Sequence, residues 1–138
     1  MVNTINMQDM RHLNLFAQVT RINTRFCFSY NEAIVFCVPK PMIFKAVGKG
    51  ASNIKKLNEI IGKRIKIIAS PRGIEDAKSF IEDIVKPVTF NDLEVKDDEI
   101  ILTAGSQSKA ALIGRNKRRL LEMQNIVHDF FGKEFRIV

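Results

Sequence analysis

The sequence has no tryptophan, one tyrosine, four prolines, two histidines and two cysteines. Two cysteines in 138 residues cannot build a disulfide scaffold, so the fold must rest on an apolar core. The histidines, His12 and His128, lie far apart, and neither stands at metal-ligand spacing with a cysteine or with the other. No apolar run approaches the roughly 18 residues that a membrane span requires. No charged-then-apolar signal segment opens the chain either, so a cytoplasmic protein without membrane contact is expected. Catalytic groupings are missing too. Asp97, Asp98 and Glu99 are the only clustered acidic trio that invites the idea, and they fall where a hairpin turn is expected, the usual place for solvated acids. No nucleophile stands beside a base; we expect no enzyme, no catalytic residue, no cofactor and no metal.

What is present is an apolar fraction of 46% and a mean hydropathy near zero, which suit a folded globule. The net charge of +7 makes a polyanion a reasonable partner. That charge is sorted along the chain. Residues 1–73 carry 12 Lys and Arg against 3 Asp and Glu, a balance of +9, whereas residues 74–138 carry 10 against 12, a balance of −2. In the second half nine acids lie between Glu75 and Glu99, and five of the ten bases lie between Lys109 and Arg119.

The chain repeats itself. Val47-Gly48-Lys49-Gly50-Ala51-Ser52-Asn53-Ile54 matches Ile113-Gly114-Arg115-Asn116-Lys117-Arg118-Arg119-Leu120 at an offset of 66, as an aliphatic-Gly-basic start with an aliphatic residue seven positions on. Gly62-Lys63 then matches Gly132-Lys133 at an offset of 70, and four extra residues are about one helical turn, which keeps the same face buried. After each loop a helix is expected, with Ile54, Leu57 and Ile61 inward in the first copy and Leu120, Met123 or Gln124, Val127 and Phe131 in the second. Each helix closes on a short strand, 63–67 and 133–137.

Ahead of each loop stand two strands, 25–30 and 34–38 in the first copy and about 88–95 and 100–104 in the second, the latter pair turned by Asp97-Asp98. A helix precedes each pair, at 7–18 with Met10, Leu13 and Phe16 or Ala17 inward, and at 74–85 with Ala77, Phe80, Ile81 and Ile84 or Val85 inward. A three-residue loop at Asn31-Glu32-Ala33 puts Phe26, Phe28 and Tyr30 opposite Val38, Phe36 and Ile34. That register sets Cys27 opposite Cys37, where a cross-strand disulfide and two free thiols are both open. Ser70-Pro71-Arg72-Gly73 is turn chemistry between two complete cycles, giving domains at 1–72 and 73–138.

A Walker loop needs Lys followed by Ser or Thr, and Lys49 is followed by Gly50; a dinucleotide fingerprint needs a glycine where Asn53 stands. The segment Val47–Ile54 instead resembles the KH module, whose Gly-x-x-Gly loop joins two helices and clamps the backbone of four nucleotides. The segment Ile113–Leu120 resembles it again. The order of elements resembles the type II, prokaryotic form. Two such modules in a short chain, led by one helix ending "LFAQVT", resemble the archaeal form of the NusA transcription factor family over nearly all of the chain, from Met7 to Val138.

This resemblance implies an α+β fold of two tandem type II KH domains, each a three-stranded sheet with helices on one face. It also implies single-stranded RNA, the nascent transcript, as the partner, RNA polymerase as a second one, and a role in transcription termination or antitermination by a monomer. Carried onto this chain, the RNA-binding residues are Val47, Gly48, Lys49, Gly50, Ala51, Asn53, Ile54, Lys55 and Lys56 in the first copy. In the second they are Ile113, Gly114, Arg115, Asn116, Lys117, Arg118 and Arg119. The fourth loop position is glycine in most of the family and is Ala51 and Lys117 here, so the second loop lacks the glycine that a close-fitting clamp requires. A ribosome-associated KH protein and a protein-interaction module with degenerate loops are the alternatives.

Overall fold

The computed structural model describes residues 7–138, so the first six residues of the expected first domain lie outside it. The described chain forms two compact units, one ending at Ser70 and the other beginning at Pro71. The first runs α1 (Met7–Thr20), β1 (Phe26–Tyr30), β2 (Ala33–Val38), α2 (Ile43–Val47), α3 (Ser52–Ile61) and β3 (Arg64–Ala69). The second runs α4 (Ala77–Val85), β4 (Asp92–Val95), β5 (Glu99–Thr103), α5 (Ser106–Ile113), α6 (Arg118–Phe131) and β6 (Glu134–Ile137). In each sheet the second strand is central, antiparallel to the first and parallel to the third. This is the type II KH topology, twice.

The parallel pairing dictates the helix pair. Adjacent parallel strands cannot be joined by a tight turn, so α2, the loop and α3 form the crossover from β2 to β3, as α5, the second loop and α6 do from β5 to β6. In the first unit Ile34, Phe36 and Val38 face Phe16 of α1, Ala46 of α2 and Leu57 of α3, and the Phe16 and Phe36 rings stack with centroids 4.4 Å apart. In the second, Phe80 of α4 meets Phe130 and Phe131 of α6. One device recurs: a cation at or just before the third strand reaches the carbonyls of the hairpin turn. Arg64 donates to the Asn31 carbonyl at 2.6 Å, and Lys133 donates to those of Lys96 and Asp97 at 2.8 and 2.6 Å.

The first hairpin departs from expectation. Phe26 pairs with Cys37, Cys27 with Phe36 and Tyr30 with Ala33, so the loop has two residues, Asn31 and Glu32, both left-handed at φ 50° and 61°. Two left-handed residues make the turn whose twist matches that of the strands. The three-residue loop follows from alternating faces, but β2 is buried along its whole length and has no polar face to protect. The shift by one residue separates the cysteines: Cys27 shares the helix-facing side with Phe36, and Cys37 points to the other side. Both thiols are free, which overturns the cross-strand disulfide.

Smaller differences have local causes. On α1, Met10 is exposed and His12 is buried with Phe16 and Thr20, so the buried face is rotated from the purely apolar one. Helix α1 ends at Thr20, whose hydroxyl donates to the Phe16 carbonyl at 2.7 Å and accepts from the Ile22 N–H at 3.1 Å. Strand β4 begins only at Asp92, after a stretch containing Pro87, which has no N–H to give a ladder.

Candidate nucleic-acid interface

Each loop begins with a glycine that no other residue can replace cheaply. Gly48 has φ 81°, and a Cβ there would stand 2.6 Å from the Ser52 hydroxyl oxygen and 3.0 Å from the Asn53 backbone nitrogen. Gly114 has φ 75°, with Arg119 equally close. These glycines let the incoming helix end directly against the first turn of the outgoing one.

Two left-handed residues follow in both loops. They are Gly50 (φ 63°) and Ala51 (φ 60°) in the first, and Asn116 (φ 58°) and Lys117 (φ 61°) in the second. The backbones therefore match position by position at the offset of 66, although the side chains differ. The substituted fourth position keeps the glycine conformation, which costs an L-residue about 1–2 kcal/mol. A Cβ on Gly50 would meet nothing within 4 Å, so the backbone there faces open space.

The outgoing helices start without side-chain caps, since neither Ala51 nor Lys117 makes a capping hydrogen bond. The N–H groups of Ala51 and Ser52 are spent on the Gly48 and Lys49 carbonyls, and those of Lys117 and Arg118 on the Gly114 and Arg115 carbonyls, so what each helix start offers is the positive end of its dipole and the N–H groups of its first turn beyond these. An anion fits such a place. In the first loop Lys49 and Gly50 are exposed, Lys55 and Lys56 are exposed on the following helix, and Val47, Ala51 and Ile54 are half-buried. Asn53 braces the loop from within, because its side-chain amide donates to the carbonyls of Lys45 and Ala46 at 3.3 and 3.1 Å and so ties α3 to the end of α2.

The second loop presents Arg115, Asn116, Lys117 and Arg118 as exposed side chains, with Ile113 and Gly114 half-buried. Arg119 is set apart from them. It occupies the place of Asn53, its side chain is only 13% exposed, and it donates to the Glu122 carboxylate at 2.6 Å. The pair sits at i,i+3, a spacing readable in the sequence.

Sequence reasoning missed Phe44, whose side chain is 92% exposed on α2. Its carbonyl accepts the Gly48 N–H at 3.0 Å, so it lies one helical turn ahead of the loop. The apolar stripe of α2 is taken by Ile43, Ala46 and Val47, and a residue between those positions has to point outward; that was the available clue. Of the aliphatic residues expected on β3, Ile65 and Ile67 pack against the core cluster.

The acids of the second half are partly engaged. Arg72 pairs with Asp76, Lys86 with Asp83 and Arg136 with Glu99, while Asp97 and Asp98 are exposed at the β4–β5 turn.

Among the described residues no helix is long and apolar enough to cross a membrane. No protein-family model matches the chain. Curated relatives do. A probable transcription termination protein NusA of Methanococcus vannielii is 36% identical over 97% of this chain and 79% of its own. Proteins of the same name from Methanocaldococcus jannaschii and Halococcus morrhuae are 26% and 21% identical, over 67% and 91% of this chain and 49% and 95% of theirs. The crystal structure of APE1850 has the same fold, with a TM-score of 0.68 over 97% of this chain and 99% of that one, at 21% identity.

Proposed function

The chain belongs to the NusA family of transcription termination proteins, and from that membership we propose that it binds the nascent single-stranded transcript through its KH loops and acts in termination or antitermination. One observation supports this above the others: a loop with open space over Gly50, at an uncapped helix N-terminus and flanked by the exposed Lys49, Lys55 and Lys56. Backbone N–H groups and three cations suit a sugar-phosphate chain.

In this reading the phosphates lie along Lys49–Ala51 and the lysines of α3. Val47 and Ile54 line the apolar side, and the exposed ring of Phe44 gives one base a surface to stack on. Asn53 acts by holding the two helices at a fixed distance. The second loop attracts phosphate through Arg115, Lys117 and Arg118 without Arg119, and it contributes less geometry because a lysine side chain rises where the backbone would be approached. The protein positions RNA and does no covalent chemistry. The acidic turn at Asp97 and Asp98 repels RNA and suits a basic protein surface, such as one on RNA polymerase in the cytoplasm.

The test is a titration of single-stranded RNA at several salt concentrations with the parent protein and with Lys49 and Gly50 both replaced by Asp. Losing about two phosphate contacts should flatten the log–log salt slope by roughly 1.4, at about 0.7 per contact. An unchanged slope and affinity would remove the first loop from the interface. Co-sedimentation with transcribing polymerase rather than with ribosomal subunits separates this role from that of a ribosome-associated KH protein.

A further inference from the structure

Helix α1 and strand β1 bring together three side chains that the loops do not use: Asp9, His12 and Cys27. One ligand atom from each lies within 4.8 Å of the others. Asp9 and His12 are at i,i+3 and share a helix face, and the two-residue hairpin turn puts Cys27 on the side of the sheet that faces that helix. The Cys27 thiol donates to the Asp9 carbonyl at 3.6 Å, so helix and strand are in contact at this point.

His12 supplies the second observation. The residue is 7% exposed, and its Nδ1 is buried without any hydrogen-bond partner. Its Nε2 lies 3.3 Å from the Gln8 side-chain amide nitrogen, which as placed donates to it. An amide can turn either edge to a ring nitrogen. With the Gln8 oxygen accepting from Nε2–H, the lone pair is left on Nδ1, the tautomer and orientation that metal-bound histidines owe to a partner on the other nitrogen.

We propose that Asp9, His12 and Cys27 form a binding site for a divalent transition metal, best suited to Zn(II). The donor set joins a thiolate, an imidazole and a carboxylate, the three side-chain types that zinc takes at about 2.0–2.3 Å. Donors around a tetrahedral ion at those lengths stand about 3.3–3.8 Å apart, so separations of up to 4.8 Å need to draw in by no more than about 1–1.5 Å. Carboxylate and thiolate together balance the 2+ charge of the ion, so the loaded site is neutral. On binding, the thiol loses its proton to solvent, one proton per ion, and the S–H bond is replaced by a metal–sulfur bond. A fourth position is left to water. The site would staple the first helix to the edge strand of the first sheet, independently of RNA.

The test uses the full chain without an affinity tag, stripped with chelator and titrated with Co(II) and then Zn(II). One equivalent of Co(II) should give a thiolate-to-cobalt charge-transfer band, which one equivalent of Zn(II) abolishes, and Zn(II) should raise the melting temperature. Cys27→Ser should lose the band. His12→Gln and Asp9→Asn should each weaken binding beyond the 10–100-fold, as an order of magnitude, that loss of an outer-shell partner brings. Circular dichroism of the metal-free variants shows whether they fold, and the half-buried Asp9 keeps the test available if Cys27→Ser does not. Absence of the band, or a band and affinity unchanged in Cys27→Ser or in Asp9→Asn, would overturn the site.

Discussion

Replacing Lys117 by glycine separates conformation from charge in the second loop. Lys117 sits at φ 61° and ψ 22°, a conformation that costs an L-residue about 1–2 kcal/mol and glycine almost nothing. Glycine gives back about 0.5–1 kcal/mol through the greater freedom of the unfolded chain. The net expectation is a stabilisation of about 0.5–1 kcal/mol, which for a chain of this size raises Tm by about 1–4 °C. With no tryptophan and one tyrosine, the melt is best followed by circular dichroism. The same variant removes one exposed cation, so its RNA salt slope should be shallower by about 0.7. Ala51→Gly is the matched control: an equal stability gain at φ 60° with no change of charge, and hence an unchanged slope. Loss of stability in both variants would refute the left-handed geometry. A slope unaltered by Lys117→Gly would show that this lysine meets no phosphate. Tighter RNA binding by Lys117→Gly would mean that loop geometry limits the second module, and weaker binding that its cation does the attracting.

Gly48→Ala should destabilise the protein by about 1–3 kcal/mol, read from urea midpoints, because both φ 81° and the 2.6 Å approach to Ser52 oppose a methyl group. Phe44→Ala should leave stability within about 0.5 kcal/mol, since the ring is 92% exposed, yet weaken single-stranded RNA binding by about 1–3 kcal/mol in anisotropy titrations; equal affinity would dismiss the stacked base. Burial pushes the Cys27 thiol up to about 12, and burial raises that of the fully enclosed Cys37 as well. Thiol-reactive dye at pH 8 should therefore label the native protein slowly and both cysteines promptly in denaturant, and mild oxidation should not link them within a monomer; rapid native labelling of two thiols would contradict the burial. Neutralising Asp97 and Asp98 should leave RNA affinity equal or slightly higher while weakening polymerase association in a pull-down.

The repeat was legible because its glycines answer a demand of the backbone: Gly48 and Gly114 are fixed by close packing as well as by φ, so both copies keep them. The register of the first hairpin was not legible. Alternation reports a strand with one wet face, and β2 has none, so the signal lay in the turn, where Glu32 hides a left-handed residue behind a side chain that rarely adopts it. Met10 was misplaced for a related reason, since an apolar-stripe argument turns it inward and cannot see that His12 is buried where a strand brings Cys27 close. Within the two loops, place in the repeat was readable and hydrogen-bonding was not. Asn53 and Arg119 fall in the same place of the repeat, yet one ties two helices together and the other turns to Glu122.

The crossover between β2 and β3 also sets an order of assembly. The β1–β2 hairpin closes over two residues and can form as soon as it has been synthesised, whereas β3 reaches its parallel partner only after α2, the loop and α3 have carried the chain back across the sheet. A chain growing from its N-terminus thus holds an exposed central strand edge until Ala69 has emerged, and the second unit repeats that interval until Ile137. Insertions follow the same logic. Extra residues at Asp97-Asp98 lengthen a hairpin whose strands are already neighbours, whereas extra residues between Gly48 and Ser52 lengthen the tether on which the closing strand depends, at a closure cost that grows only slowly with length.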